Sequence, residues 1–219
     1  MIQITDSAFP LGSFAFSNGL ESAAKLGLIE DISGFKRYLV NVLTQVSCSE
    51  IPFVNSAYHC ADDDVDTLAA IFQRLDAFIT VQSMRKAGIT QGKSLIQAVK
   101  AIYPEHNVQD IVRLLQDRGL NIHYAAVFGI VCRRIGLSHM ETLFAYAYIA
   151  LRDQAGAAVR LGLLGPHESR RILRETLGHV NKTIDRVKDL EYHRAYKTAV
   201  ALEIAQAHHS KLYSHLFQN

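Results

Sequence analysis

Cysteine is scarce in this chain of 219 residues: Cys48, Cys60 and Cys132 are an odd number at wide spacing. That argues against a disulfide framework and suits reduced thiols in a cytosolic core. Charge of one sign is missing as well, because 23 Lys and Arg are interspersed with 21 Asp and Glu for a net +2. Nucleic acid and anionic membrane are therefore not expected as partners. No run approaches the ~18 apolar residues of a membrane span, and Met1 is followed by Ile-Gln-Ile-Thr-Asp without a basic start and apolar stretch. A soluble, cytoplasmic protein without a secretory signal is expected.

Proline is equally sparse. All four, Pro10, Pro52, Pro104 and Pro166, fall where a helical pattern starts or stops. Between them apolar residues recur at helical spacing, which predicts an all-α fold, a single-domain bundle of about eight to ten helices around a long central one. The spacing predicts helices over 34–48, 66–86, 92–103, 108–118 and 123–135. Ser138 and Glu141 form an S-x-x-E capping box, from which the central helix is expected to run ~25 residues, or ~38 Å, towards Gly165 and Pro166. Two or three more helices are expected between Glu168 and Tyr213, one carrying Tyr192, Ala195, Ala199, Leu202 and Ala205. With 49% apolar residues, 1–219 reads as one domain, 1–16 being an N-terminal segment and 214–219 a C-terminal tail.

Reactive constellations fail on context. Ala87-Gly88-Ile89-Thr90-Gln91-Gly92-Lys93-Ser94 is a loose phosphate-loop pattern, yet it lacks the preceding strand that would let backbone N–H groups cradle phosphate. A nucleotide-binding enzyme using Gly92, Lys93 and Ser94 is the alternative this leaves, beside a generic helical adaptor. Ser22-x-x-Lys25 and Ser83-x-x-Lys86 repeat a nucleophile spacing without its partner motifs and read as helix-surface pairs. His167-Glu168 opens like a zinc-protease motif, but Arg171 stands where the second His belongs. Asp62, Asp63, Asp64 and Asp66 read as a helix cap. Ten histidines include His208 and His215, which would share a face if the last helix continued that far. No catalytic set emerges, so no enzyme and no resident cofactor are expected, with transient nickel contact left open.

The densest signal is Asp6–Glu21, DSAFPLGSFAFSNGLE, which combines a rigid Pro10, flexible Gly12 and Gly19, and large apolar Phe9, Phe14 and Phe16. By residue type it is either a turn packed on its own core or a docking element. The pattern Asp6, Ser7, Ala8, Pro10, Gly12, Phe14, Ser17, Gly19, Leu20 and Glu21 resembles the opening signature of the UreF family of urease accessory proteins. Ala158 to Pro166, AVRLGLLGP, and the terminal Tyr213, Ser214, Leu216 and Phe217 resemble the same family, although His215, Gln218 and Asn219 replace its Arg, Arg and Ser. The resemblance implies an all-α protein, dimeric in its complexes, that binds the UreD (UreH) scaffold and the UreG GTPase and helps deliver nickel to apo-urease. It also implies partner-binding roles for Asp6, Pro10, Gly12, Phe14, Ser17, Gly19, Glu21, Arg160, Tyr213, Leu216 and Phe217. Arg160 is expected either as an exposed charged contact or in a salt bridge along its own helix.

Overall fold

A computed structural model describes residues 3–218, so Asn219 lies outside the described residues. Among them the chain forms eleven α-helices and three short 3-10 turns, and no strand. The helices are α1 Leu20–Lys25, α2 Ile32–Ser49, α3 Ile51–His59, α4 Val65–Phe78, α5 Gln82–Ile102, α6 Gln109–Asp117, α7 Tyr124–Arg134, α8 His139–Arg160, α9 Pro166–Leu177, α10 Val180–Val187 and α11 Val200–His208. One hydrophobic core runs through them, with Phe35, Phe53, Phe72 and Phe128 fully enclosed. α8 lies among α1, α2, α3, α7, α9 and α10, the central place expected of it.

Local chemistry explains most of the boundaries. Ser138 caps α8 in a complete capping box with Glu141, and Asp64 caps α4 by accepting from Thr67 N–H at 3.1 Å. Pro52 and Pro166 sit in first turns, where a missing N–H costs nothing. α8 stops at 22 residues, short of the expected reach to Gly165. Gly162 takes φ 71°, and the Leu163 N–H returns to the Ala158 carbonyl at 3.0 Å, closing the helix with a left-handed turn.

Two expectations are corrected. The stretch 66–86 is not one helix: α4 ends at Phe78, Ile79 is extended, and α5 begins at Gln82. The Arg85 guanidinium holds the Ile79 carbonyl at 3.0 and 3.2 Å, satisfying the helix end from the next helix. Nor do Tyr192 to Ala199 continue a helix. After the turn Tyr192–Arg194 the chain runs extended as a strap over 195–199. There the Tyr196 N–H donates to the Cys48 carbonyl, and Gln45 Oε1 accepts from Thr198 N, Thr198 Oγ1 and Ala199 N at 2.7, 3.0 and 2.8 Å. Hydrogen bonds from α2 thus override local helical spacing. α11 ends at His208, so His208 and His215 do not share a helix face.

Candidate partner-docking clasp

Three segments far apart in sequence meet at one end of α8. The opening segment is pinned first by its own turns. Asp6 is exposed and accepts from Ala8 N–H at 2.8 Å, Pro10 is exposed, and Phe9, Leu11 and Phe16 are buried. Gly12 at φ 70° leads into the 3-10 turn Ser13–Ala15. Gly19 at φ 95° lies where a methyl group would stand 2.6 Å from Gln206 Cγ. Its conformation and its contact with α11 both require glycine. Ser17 is buried, and its carbonyl accepts from Gln154 Nε2 at 2.9 Å.

Glu21 ties this segment to the tail. Only 2% exposed, its carboxylate accepts from Leu216 N–H at 2.8 Å and Phe217 N–H at 3.1 Å and pairs with Lys25 at 3.2 Å. Lys25 also donates to the Ser214 carbonyl. Burial pushes the Glu21 carboxyl up, but the two backbone donors and Lys25 together outweigh it and hold it below its ordinary 4.5. Buried His209 approaches the same carboxylate at 3.5 Å and stacks edgewise on His215. Burial, the largest effect on the His209 imidazole, lowers its pKa.

Arg160, the last residue of α8, closes the clasp. Its guanidinium lies 3.8 Å from the Phe14 ring centre and 4.4 Å from that of Phe217, and it donates to the Phe14 carbonyl. The Gln218 N–H adds a bond to the Ala15 carbonyl at 2.9 Å. Among the described residues Arg160 makes no ion pair, so the salt bridge along its own helix is absent; the half-buried cation sits between two aromatic faces. Phe217 is 3% exposed, whereas Phe14 at 74%, Leu216 at 64% and the fully exposed Tyr213 point outwards. The result is a ridge of apolar side chains on a buried polar clasp. Lys25, His209 and Gln206 were not among the expected site residues; the one legible sign was the i,i+4 pair Glu21 and Lys25.

The rival motifs land elsewhere. Gly92, Lys93 and Ser94 lie inside α5, where backbone N–H groups are already used within the helix and cannot cradle phosphate. Gly92 instead permits close packing, since a methyl group there would stand 2.2 Å from the Ile122 carbonyl oxygen. Ser22 is buried, not on a helix surface as its Ser-Lys spacing had suggested. His167 and Glu168 open α9, where Arg171 pairs with Glu168 and Glu175. No group of three or more metal-binding side chains occurs among the described residues.

Comparison with known proteins adds the family. Residues 29–177 match the family model described as UreF, which takes in Arg160 but neither Asp6–Glu21 nor the tail. The chain is 29% identical over 217 residues to urease accessory protein F of Oryza sativa subsp. indica, covering 98% of this chain and 82% of the rice protein. It is 29% identical over 218 residues to urease accessory protein F of Arabidopsis thaliana, covering 98% and 90%. It is 28% identical over 222 residues to urease accessory protein UreF of Arthrobacter sp. strain FB24, covering 99% and 95%. With the family model matching well over half of its length, the chain belongs to the UreF family.

Proposed function

We propose that this protein is a non-enzymatic, cytoplasmic adaptor in urease maturation, which binds the UreD (UreH) scaffold and the UreG GTPase as a homodimer within their complex. In this role it tunes GTP-dependent delivery of nickel to apo-urease, nickel passing as cargo. The observation that carries the proposal is the clasp: the three segments through which the sequence resembles the family converge on one face, with Phe14, Tyr213 and Leu216 exposed above it. Exposed aromatic side chains such as Phe14 and Tyr213, near an Arg, are residue types enriched at protein interfaces. Membership of the UreF family and the names of the relatives support the placement in urease maturation. The helical setting of Gly92 to Ser94 disfavours the nucleotide-binding alternative. No helix among the described residues is long and apolar enough to cross a membrane.

The test is co-expression with the scaffold and the GTPase, followed by capture through a tag on this chain. Tyr213→Ser combined with Leu216→Ser should lower recovery of the complex about tenfold or more, since hot-spot side chains contribute ~2 kcal/mol or more each, while Tm stays unchanged. Arg160→Ala should lower both recovery and tail ordering. Undiminished capture by the double variant would refute the assignment of this face, and GTP binding by the isolated protein would revive the enzyme reading.

A further inference from the structure

Away from the clasp, a cleft of about 140 Å³ opens to solvent between α2, α4, α5, α7, α8 and α11. Half-buried Phe78, Ile79 and Met84 give it apolar walls, and Glu50, Glu203 and Lys197 bring charge to it. Lys197 is already committed: it pairs with Glu203 at 2.6 Å and donates to Thr80 Oγ1 at 3.0 Å. Glu50 is not. Its Oε2 accepts from the Tyr146 hydroxyl at 2.5 Å, whereas Oε1 accepts no hydrogen bond among the described residues and keeps accessible surface. Burial pushes the Glu50 carboxyl up, and only the Tyr146 bond opposes it, no cation being close enough to do so. The Tyr146 phenol is itself pushed well up by burial, so it keeps its proton and fixes the carboxylate from one side. A crowded carboxylate without a cation is costly. It takes up a proton, or it takes up a cation from outside.

We propose that this cleft is a binding site for a primary alkylammonium group, its stem against Phe78, Ile79 and Met84 and its head on Glu50 Oε1. Glu50 and Glu203 against Lys197 leave one negative charge in excess, which repels anions. His123, also on the wall, is buried with its pKa lowered and adds no positive charge at neutral pH. The space equals about five waters at ~30 Å³ each, room for one short alkyl chain with its charged head. A guanidinium fits less well, because its fork needs both carboxylate oxygens and Tyr146 occupies one of them. An ammonium needs one oxygen and leaves its other protons to water on the open side. No group of three or more metal-binding side chains occurs here or elsewhere among the described residues, so a metal ion is not the cation. The ammonium is that of a free amine or of a lysine side chain.

The inference does not depend on a role in urease maturation and is tested on the protein alone, by NMR titration at neutral pH. n-Butylammonium should give saturable shifts at the cleft and bind about tenfold or more tightly than n-butanol, which has the same shape without the charge. Glu50→Gln should abolish that preference while Glu203→Gln keeps it. Equal binding of the two probes by the unaltered protein would overturn the proposal, whether or not the variants fold. So would a lack of saturation by n-butylammonium, or loss of the preference in Glu203→Gln alone. Nα-acetyl-lysine methylamide separates the sources: binding equal to that of n-butylammonium supports a lysine side chain, and its exclusion supports a free amine.

Discussion

Glu21→Gln is the sharpest probe of the clasp, because it keeps the side chain's shape while replacing one accepting oxygen with an amide that cannot accept. Ordering residues 212–217 costs ~1–2 kcal/mol each, or about 6–12 kcal/mol in all. Opposing this are burial of Phe217, ~2–3 kcal/mol, two hydrogen bonds to a charged acceptor, ~3–6 kcal/mol together, the stacked guanidinium of Arg160, ~0.5–1 kcal/mol, and the Gln218 N–H to Ala15 bond, ~1 kcal/mol. The two sides nearly cancel, so the tail docks by a margin of at most a few kcal/mol. Losing one charge-assisted bond to Leu216 or Phe217, and the charge that faces Lys25, removes ~2–3 kcal/mol and releases it. Amide hydrogen exchange at Leu216, Phe217 and Gln218 should then quicken about 30- to 150-fold at constant pH, at 1.4 kcal/mol per decade. Global Tm should move little, because α1 to α10 keep their core without the tail. Unchanged protection of these three amides would refute the reasoning, and so would a collapse of Tm together with their protection.

Two further predictions concern the body of the fold. Gly92→Ala places a methyl group 2.2 Å from the Ile122 carbonyl oxygen, forcing α5 away from the start of α7; overpacking of ~1–3 kcal/mol should lower Tm by roughly 3–10 °C, and an unaltered Tm in a thermal melt would contradict the packing role. Acid should weaken the protein in two stages. His123, His139 and His209 are all held below their ordinary 6.5, burial being the largest cause in each. The unfolded chain therefore takes up protons first as pH drops below ~6.5, and stability falls with it. Glu21, held below 4.5, contributes stability above that pH, lost as pH falls through its lowered folded value. Calorimetric Tm should be level above about pH 7 and decline from about pH 6 downwards; a flat profile to about pH 5 would exclude the histidine contribution.

Legibility in the sequence followed the range of the interactions. The capping box of Ser138 and Glu141, the cap at Asp64 and the first-turn prolines act within four residues, and each is where the sequence places it. The merged 66–86 helix failed because its break depends on Arg85 reaching back to the Ile79 carbonyl. The strap at 195–199 failed for a longer-range reason, since the donors of Thr198 and Ala199 are captured by Gln45, more than 150 residues away. At the clasp, residue types alone left Arg160 between an exposed contact and a helix salt bridge; its stacking between Phe14 and Phe217 was in neither reading.

By itself the sequence determined an all-helical protein of near-neutral net charge and, through its motifs, pointed to one family. Periodicity, caps and helix-ending residues encode structure locally, so one chain suffices to read them. Only the tertiary structure decided that Glu21 is a buried anchor for backbone amides 195 and 196 residues later, that Gly92 serves helix packing, and that His123 is buried beside Asp76. A carboxylate, a glycine or a histidine takes its role from what the fold brings within hydrogen-bond or van der Waals reach, and spacing along the chain does not specify that neighbour.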